Sequence, residues 1–317
     1  MNPPDRDVAV CEASLRDGIQ GWPRVVPTAD KVRMLHAVAA AGVAEIDVTS
    51  FVPAHIVPQF VDAEQVLSDV PGGVLVRVLT VNVRGARRVA EARARGSRID
   101  RCGFPISASE PHNLANLRRD HAAHKAAVAE MVDVLGGAGI APLLGVATAY
   151  GCPIQGRVDR DDVLALVEWG RSLGIRSIMF GDTTGMADPR AVRELFTAAV
   201  AAYPDVEFIA HFHDNRGCGI ANTLAAIDAG AATVDGSLGG IGGEPAAVEQ
   251  GLVGEGGNVV TEDLVAVLGR MGVRTGTDLT ALLRAGALAE ELLGRPLFSR
   301  VQRAGPFPSS LHPLART

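Results

Sequence analysis

The sequence predicts an α/β fold, a (β/α)8 TIM barrel with a short C-terminal helical extension. Three observations carry this expectation. Eight short β-rich runs alternate with longer helical stretches along nearly the whole chain, the order that a parallel sheet with crossover helices requires. Several of these runs are almost continuously apolar, as strands buried on both faces are. No G-x-G-x-x-G follows the first run, which disfavours an open, doubly wound sheet.

The first strand is expected at 8–12 (VAVCE), followed by a helix at 28–42. Thr28 is a good N-cap for that helix, Val32, Leu35 and Ala39 share one face, and Gly42 stops it. Strands follow at 44–49, 74–80, 99–105, 142–149 and 177–181. Between two of them, the basic run 84–98 has helical composition and reads as a solvated helix face. The helix at 187–203 opens with Asp188 as N-cap and Pro189 at its first position. Its residues Val192, Leu195, Phe196, Ala199 and Val200 keep the helical period. The last two strands are expected at 207–212 and 232–238. This assigns residues 1–275 to the barrel and 276–317 to an extension packed on it. The apolar helix at 280–298 either caps the barrel or pairs with a second subunit of a homo-oligomer.

Composition narrows the function classes. The net charge of −6 argues against nucleic acid or an anionic membrane as a general partner. There is no signal-like N-terminus and no apolar run of membrane-spanning length. The four cysteines, Cys11, Cys102, Cys152 and Cys218, are scattered without a C-x-x-C pair, as free thiols in a reducing compartment are. The expectation is a soluble cytoplasmic protein.

Barrel chemistry sits in the loops after the strands, so polar residues there are the candidates. After the first strand, LRDGIQ puts Arg16, Asp17 and Gln20 at the mouth. Asp47 stands inside an apolar strand, where an unpaired carboxylate is costly, and this favours a site-facing position. Asn82 lies past the third strand, and Asp182 at the tip of the sixth either caps a helix or serves the site. His211 and His213 are two apart and share a side if the strand persists. A lone histidine is ordinarily structural; a pair at strand spacing on a catalytic rim points to a metal. Asp17, with Asn258 as a neutral oxygen donor, would complete a mixed nitrogen and oxygen set. Such a set favours Mg or Mn over a closed Zn site. Arg16, next to Asp17, suits stabilisation of an oxyanion.

These residues carry a family resemblance. RDGIQ resembles the R-D-G-x-Q of the HMG-CoA lyase group, metal-dependent barrel enzymes related to isopropylmalate and homocitrate synthases, with Glu12 at the preceding glutamate position. The blocks DVTSFVPAHIVPQFVD, LTVNVRG, SASEPHNLAN, GCPIQGRV, GDTTGMADP, HFHDNRGCGIANTL and GNVVTEDLV follow in the family's order across roughly residues 8–270. The resemblance implies Mg or Mn held by Asp17, His211, His213 and Asn258, with Arg16 stabilising charge on oxygen; Glu12, Gln20, Asp47 and Asn82 are expected around the substrate and Asp182 in a catalytic role. It implies an acyl-CoA substrate cleaved beside a tertiary alcohol through an enolate.

Two positions depart from the family pattern. Glu244 stands where the lyases carry the cysteine of G-G-C-P, and about five extra residues separate it from Asn258. A carboxyl group there needs burial or a negative neighbour, such as Glu249 or Glu255, to act as an acid near neutral pH. Asp47 replaces the usual glutamate. The leading expectation is therefore a lyase acting on a 3-hydroxyacyl-CoA. The alternatives are an acyl-CoA-dependent synthase that condenses onto a keto acid, suggested by GEGGN, a metal-dependent aldolase on a free hydroxy acid, and a non-catalytic metal- or ligand-binding barrel. HFHDN keeps the lyase order rather than the H-x-H-N-D of the synthases.

Overall fold

The computed structural model describes residues 6–243 and 257–307. Eight parallel strands close into a barrel in chain order: β1 Ala9–Glu12, β2 Glu45–Ser50, β3 Leu75–Leu79, β4 Arg101–Ser107, β5 Ala141–Ala147, β6 Ser177–Asp182, β7 Glu207–Phe212 and β8 Thr233–Gly236. β8 closes onto β1 with Cys11 opposite Asp235. The helices are α1 Thr28–Ala40, α2 Ala63–Ser68, α3 Val83–Ala94, α4 Glu110–Leu117, α5 His121–Gly137, α6 Arg160–Ser172, α7 Pro189–Ala202, α8 Gly219–Asp228, α9 Thr261–Arg270, α10 Leu279–Leu293 and α11 Arg300–Ala304. Among the described residues no helix is long and apolar enough to cross a membrane.

Strand alternation sorts the side chains into two environments. Outward-facing Val10, Ile46, Val76, Phe104, Leu144, Ile178 and Phe208 are buried under the helices. Phe180 meets Phe196 of α7 edge-on at 5.1 Å and stacks on Phe208 at 5.3 Å, geometries that add to simple burial. The inward face is unusual for such a barrel, whose lumen is generally filled by branched apolar residues. Here Glu45, Arg77, Arg101, Glu207 and Asp235 pair with one another inside it. A β-bulge between Asp47 and Thr49 on β2 interrupts the pairing with β3, a device that re-aims side chains beside active sites.

Local chemistry explains where the elements differ from expectation. Thr28 is the first helical residue rather than the N-cap; Pro27 precedes the helix, and the Thr28 hydroxyl donates to Asp62 Oδ2 at 2.7 Å. Asp188 does cap α7, accepting from the N–H groups of Arg190 and Ala191. The segment after β1 is a π-helical turn, Ser14–Gly18, with Gly18 N bonded to Ala13 O at 3.0 Å. The tail helix ends at Leu293, where Gly294 supplies φ +77°.

The extension is tied to the loop that follows β8. α10 buries Leu282, Ala285 and Ala289 and packs against α1 and α9. Asp278 N donates to Ala41 O at 2.8 Å, and Phe298 N to Gly239 O at 2.9 Å. Gly239 has φ +56°, and a Cβ there would collide with Leu297. Glycine at this point lets the tail lie directly on the loop leading to the site. Gly239→Ala should therefore destabilise the protein by about 1–3 kcal/mol, the scale of overpacking, as read from denaturant unfolding; wild-type stability would contradict the latch.

Candidate metal centre and substrate cavity

The π-helical turn after β1 places both Arg16 and Asp17 in the barrel mouth, 6% and 8% exposed. Such turns recur at functional sites. Across the mouth, His211 is the penultimate residue of β7, and His213 lies just beyond the strand in an isolated bridge to Asn258. One ligand atom each from Asp17, His211 and His213 lie within 4.8 Å of one another. The two Nε2 atoms face each other at 3.1 Å, and His213 Nε2 is 3.6 Å from Asp17 Oδ2.

The outer nitrogens define what the inner ones can do. His213 Nδ1 lies 2.7 Å from Thr183 O, which only accepts, so Nδ1 carries the proton. His211 Nδ1 lies 3.1 Å from Asp235 Oδ2. Burial raises the Asp235 pKa, but Arg77 and His211 outweigh it and hold the group below the ordinary carboxylate range. With Nδ1 turned to an oxygen on each ring, the neutral form of each would direct its Nε2 lone pair toward one point, an arrangement that suits a cation. This is the ligand orientation that supporting hydrogen bonds impose on metal-binding histidines. The residues fit a divalent ion.

Charge at the mouth is finely partitioned. Arg16 donates through Nε to Asp47 Oδ2 at 2.7 Å and through Nη1 to Asp17 Oδ1 at 2.5 Å. Burial raises the Asp17 pKa, yet Arg16 and the two imidazoles overcome it, leaving Asp17 well below its usual value. For Asp47 burial prevails over Arg16 and Arg77, and its pKa rises; its Oδ1 is buried without a hydrogen-bond partner. Asn258 donates from Nδ2 to Asp17 Oδ2 at 2.7 Å and to Ile241 O at 3.0 Å. Gly242, at φ +112°, leaves the room for this amide that a Cβ would fill.

A cavity of about 710 Å³ opens above the triad, within the range of small-molecule sites. Arg16, Asp17, Asp47, Arg77, His211 and His213 are among its polar residues, and Trp22, Val52, Ile56 and Leu117 among its apolar walls. Gln20 lines it too.

Other sequence candidates stand outside the cavity lining. Glu12 is a strut: Oε1 accepts from Ser14 N at 2.9 Å and Leu238 N at 3.0 Å, and Oε2 from the Thr261 hydroxyl at 2.5 Å. Asn82 caps α3 by accepting from Gly85 N at 2.9 Å. Asp182 accepts from Met186 N at 2.7 Å and Ala187 N at 3.1 Å, closing the turn that presents Thr183 O to His213. Glu244, with Glu249 and Glu255, lies outside the described residues. Sequence reasoning missed Arg77 and Asp235, although each is a charge within an otherwise apolar strand, the same signal that singled out Asp47.

Comparison with known proteins agrees with this geometry. The HMGL-like family model matches residues 7–289. The hydroxymethylglutaryl-CoA lyase of Bacillus subtilis is 33% identical over 94% of this chain and 97% of its own length. The (R)-citramalyl-CoA lyase of Chloroflexus aurantiacus is also 33% identical, over 94% of this chain and 95% of its own. Among solved structures, an HMG-CoA lyase from A. baumannii in complex with coenzyme A and 3-methylmalate superposes with a TM-score of 0.88 at 36% identity, covering 99% of this chain and 100% of that one.

The Glu12 strut carries a pH signature. Burial, partly opposed by its hydrogen bonds to Thr261, Ser14 and Leu238, pushes its pKa from 4.5 up to about 6. The folded state thus holds a proton that the unfolded chain releases, so this group's contribution to stability is full below about pH 4.5 and is lost as pH rises through about 6. Glu12→Gln, which cannot ionise, should gain stability relative to wild type across that window in thermal melts at stepped pH. A pH-independent difference would contradict the assignment.

Proposed function

The chain belongs to the HMGL-like family, and from that premise we propose that it is a divalent-metal-dependent carbon–carbon lyase that cleaves a 3-hydroxyacyl-CoA. The observation that carries this reading is the convergence of Asp17, His211 and His213 on one point at the floor of a substrate-sized cavity. Mg or Mn held there, with Asn258 as the further oxygen donor, supplies Lewis acidity that stabilises negative charge on the substrate's oxygens.

The chain's own groups have separable tasks. Asp47, with its unpartnered Oδ1 and raised pKa, is assigned to take the proton from the C3 hydroxyl. As that O–H electron pair becomes a carbonyl, the C2–C3 bond breaks and its electrons pass into the enolate of acetyl-CoA. Arg16, held by Asp17 and Asp47, keeps a fixed positive charge beside the oxygen on which negative charge develops. The enolate carbon then takes a proton from an acid assigned to Glu244, whose preceding residue Gly243 lines the cavity. Gln20 is assigned to the polar end of the substrate, and the apolar walls suit the extended thioester arm. Glu12, Asn82 and Asp182 are assigned supporting roles through the backbone groups they hold.

The test is to incubate Mn-loaded protein with a panel of 3-hydroxyacyl-CoAs, and separately with keto acids plus acetyl-CoA. Cleavage to acetyl-CoA and a carbonyl product is expected. Asp17→Asn should lower the rate by more than about 100-fold, beyond the usual effect of losing a supporting residue, and Glu244→Gln should lower it while leaving Mn uptake intact. Condensation without cleavage, or no turnover, would overturn the lyase reading.

A further inference from the structure

Arg77 lies outside the triad, yet the geometry ties it to the metal centre. It sits on the inner face of β3 with a side chain only 3% exposed. Nε donates to Glu45 Oε1 at 2.9 Å, and Nη1 to Asp235 Oδ2 at 2.7 Å. That same oxygen, Asp235 Oδ2, lies 3.1 Å from His211 Nδ1. One carboxylate oxygen therefore receives the guanidinium and the imidazole N–H together. β8 places Asp235 beside Ala210 and His211 because Val234 is in register with Ala210.

Burying a guanidinium between two carboxylates is a poor way to gain stability, since apolar residues of similar volume do as well or better. The arrangement suits positioning. The fork geometry of arginine grips two carboxylates at fixed angles, and a fixed Asp235 fixes both the tautomer and the plane of His211. We propose that Arg77 is a positioning residue of the metal centre, acting through Asp235 to keep His211 Nε2 directed at the ion. This rests on the metal-dependent reading of the site given above.

The sign of the effect separates positioning from bare electrostatics. Arg77 is a cation that repels a divalent ion, so a purely electrostatic role predicts tighter metal binding when its charge is removed. A positioning role predicts weaker binding. Mn(II) titration of metal-free protein, with free Mn followed by electron paramagnetic resonance, should show the dissociation constant rising about 10–100-fold in Arg77→Met, the range for lost supporting partners of a metal ligand. Arg77→Lys, which keeps the charge but not the fork, should recover part of that affinity.

Asp235→Asn should cost a similar factor, and the Arg77→Met/Asp235→Asn double variant little more, because both act through one link. In nitrogen-15 spectra of the metal-free protein, the His211 proton should redistribute from Nδ1 toward Nε2 in Arg77→Met. Unchanged or tighter Mn binding with an unchanged tautomer, or losses that add in the double variant, would overturn the proposal. If Arg77→Met does not fold, the same cycle run with Arg77→Lys decides by the same criterion. Wild-type protein that takes up no Mn would overturn the underlying metal reading, whereas wild-type uptake indifferent to Arg77 overturns this inference alone.

Discussion

Inside the barrel, among the described residues, the carboxyl groups of Asp17, Glu45, Asp47, Glu207 and Asp235 pair with the guanidinium groups of Arg16, Arg77 and Arg101, five potential negative charges against three fixed positive ones. Charges removed from water are costly unless paired, and a divalent ion closes this difference when all five are ionised. The same ion would take both imidazole Nε2 atoms as ligands, which face each other across 3.1 Å. Much of the lumen is organised around that requirement. The ionic network from Glu207 through Arg101, Glu45, Arg77 and Asp235 reaches His211 from below, and Arg16 joins Asp17 to Asp47 at the mouth.

Holding the donors at one point draws on irregular backbone. The π-helical turn delivers Asp17 and Arg16 together, and the bulge on β2 follows Asp47 directly. Thr148, just past β5, has φ +53°, which for a β-branched residue costs about 1–3 kcal/mol. Its hydroxyl is 2.7 Å from that of Ser107, and its N–H donates to the Thr183 hydroxyl at 2.8 Å. Thr183 O in turn orients His213. Strain at one strand end is thus offset by bonds that steady a ligand on another.

Much of the architecture was legible in the sequence because it is written in period and punctuation. Alternating strand and helix patterns gave the barrel, and the Asp188–Pro189 pair marked the start of α7. The triad was legible because histidines two apart on a strand have few other purposes at a catalytic rim. What escaped has a physical cause. Proximity to a strand tip does not reveal whether a side chain faces the cavity or caps the adjoining turn, and Asn82 and Asp182 do the latter. Arg77 and Asp235 passed unnoticed because their strands read as apolar runs, and a lumen charge makes sense only beside its partners on neighbouring strands. The π-helical turn left no mark in composition at all.

The site stands or falls on two imidazoles and a carboxylate binding one cation. Electron spin-echo envelope modulation of the Mn(II)-loaded protein tests it most directly, because directly bound nitrogen modulates the echo. One tightly bound Mn per chain is expected, with couplings from two imidazole nitrogens, reduced to one when either His211 or His213 is replaced. Mn bound without nitrogen coupling, or couplings that survive both replacements, would contradict it.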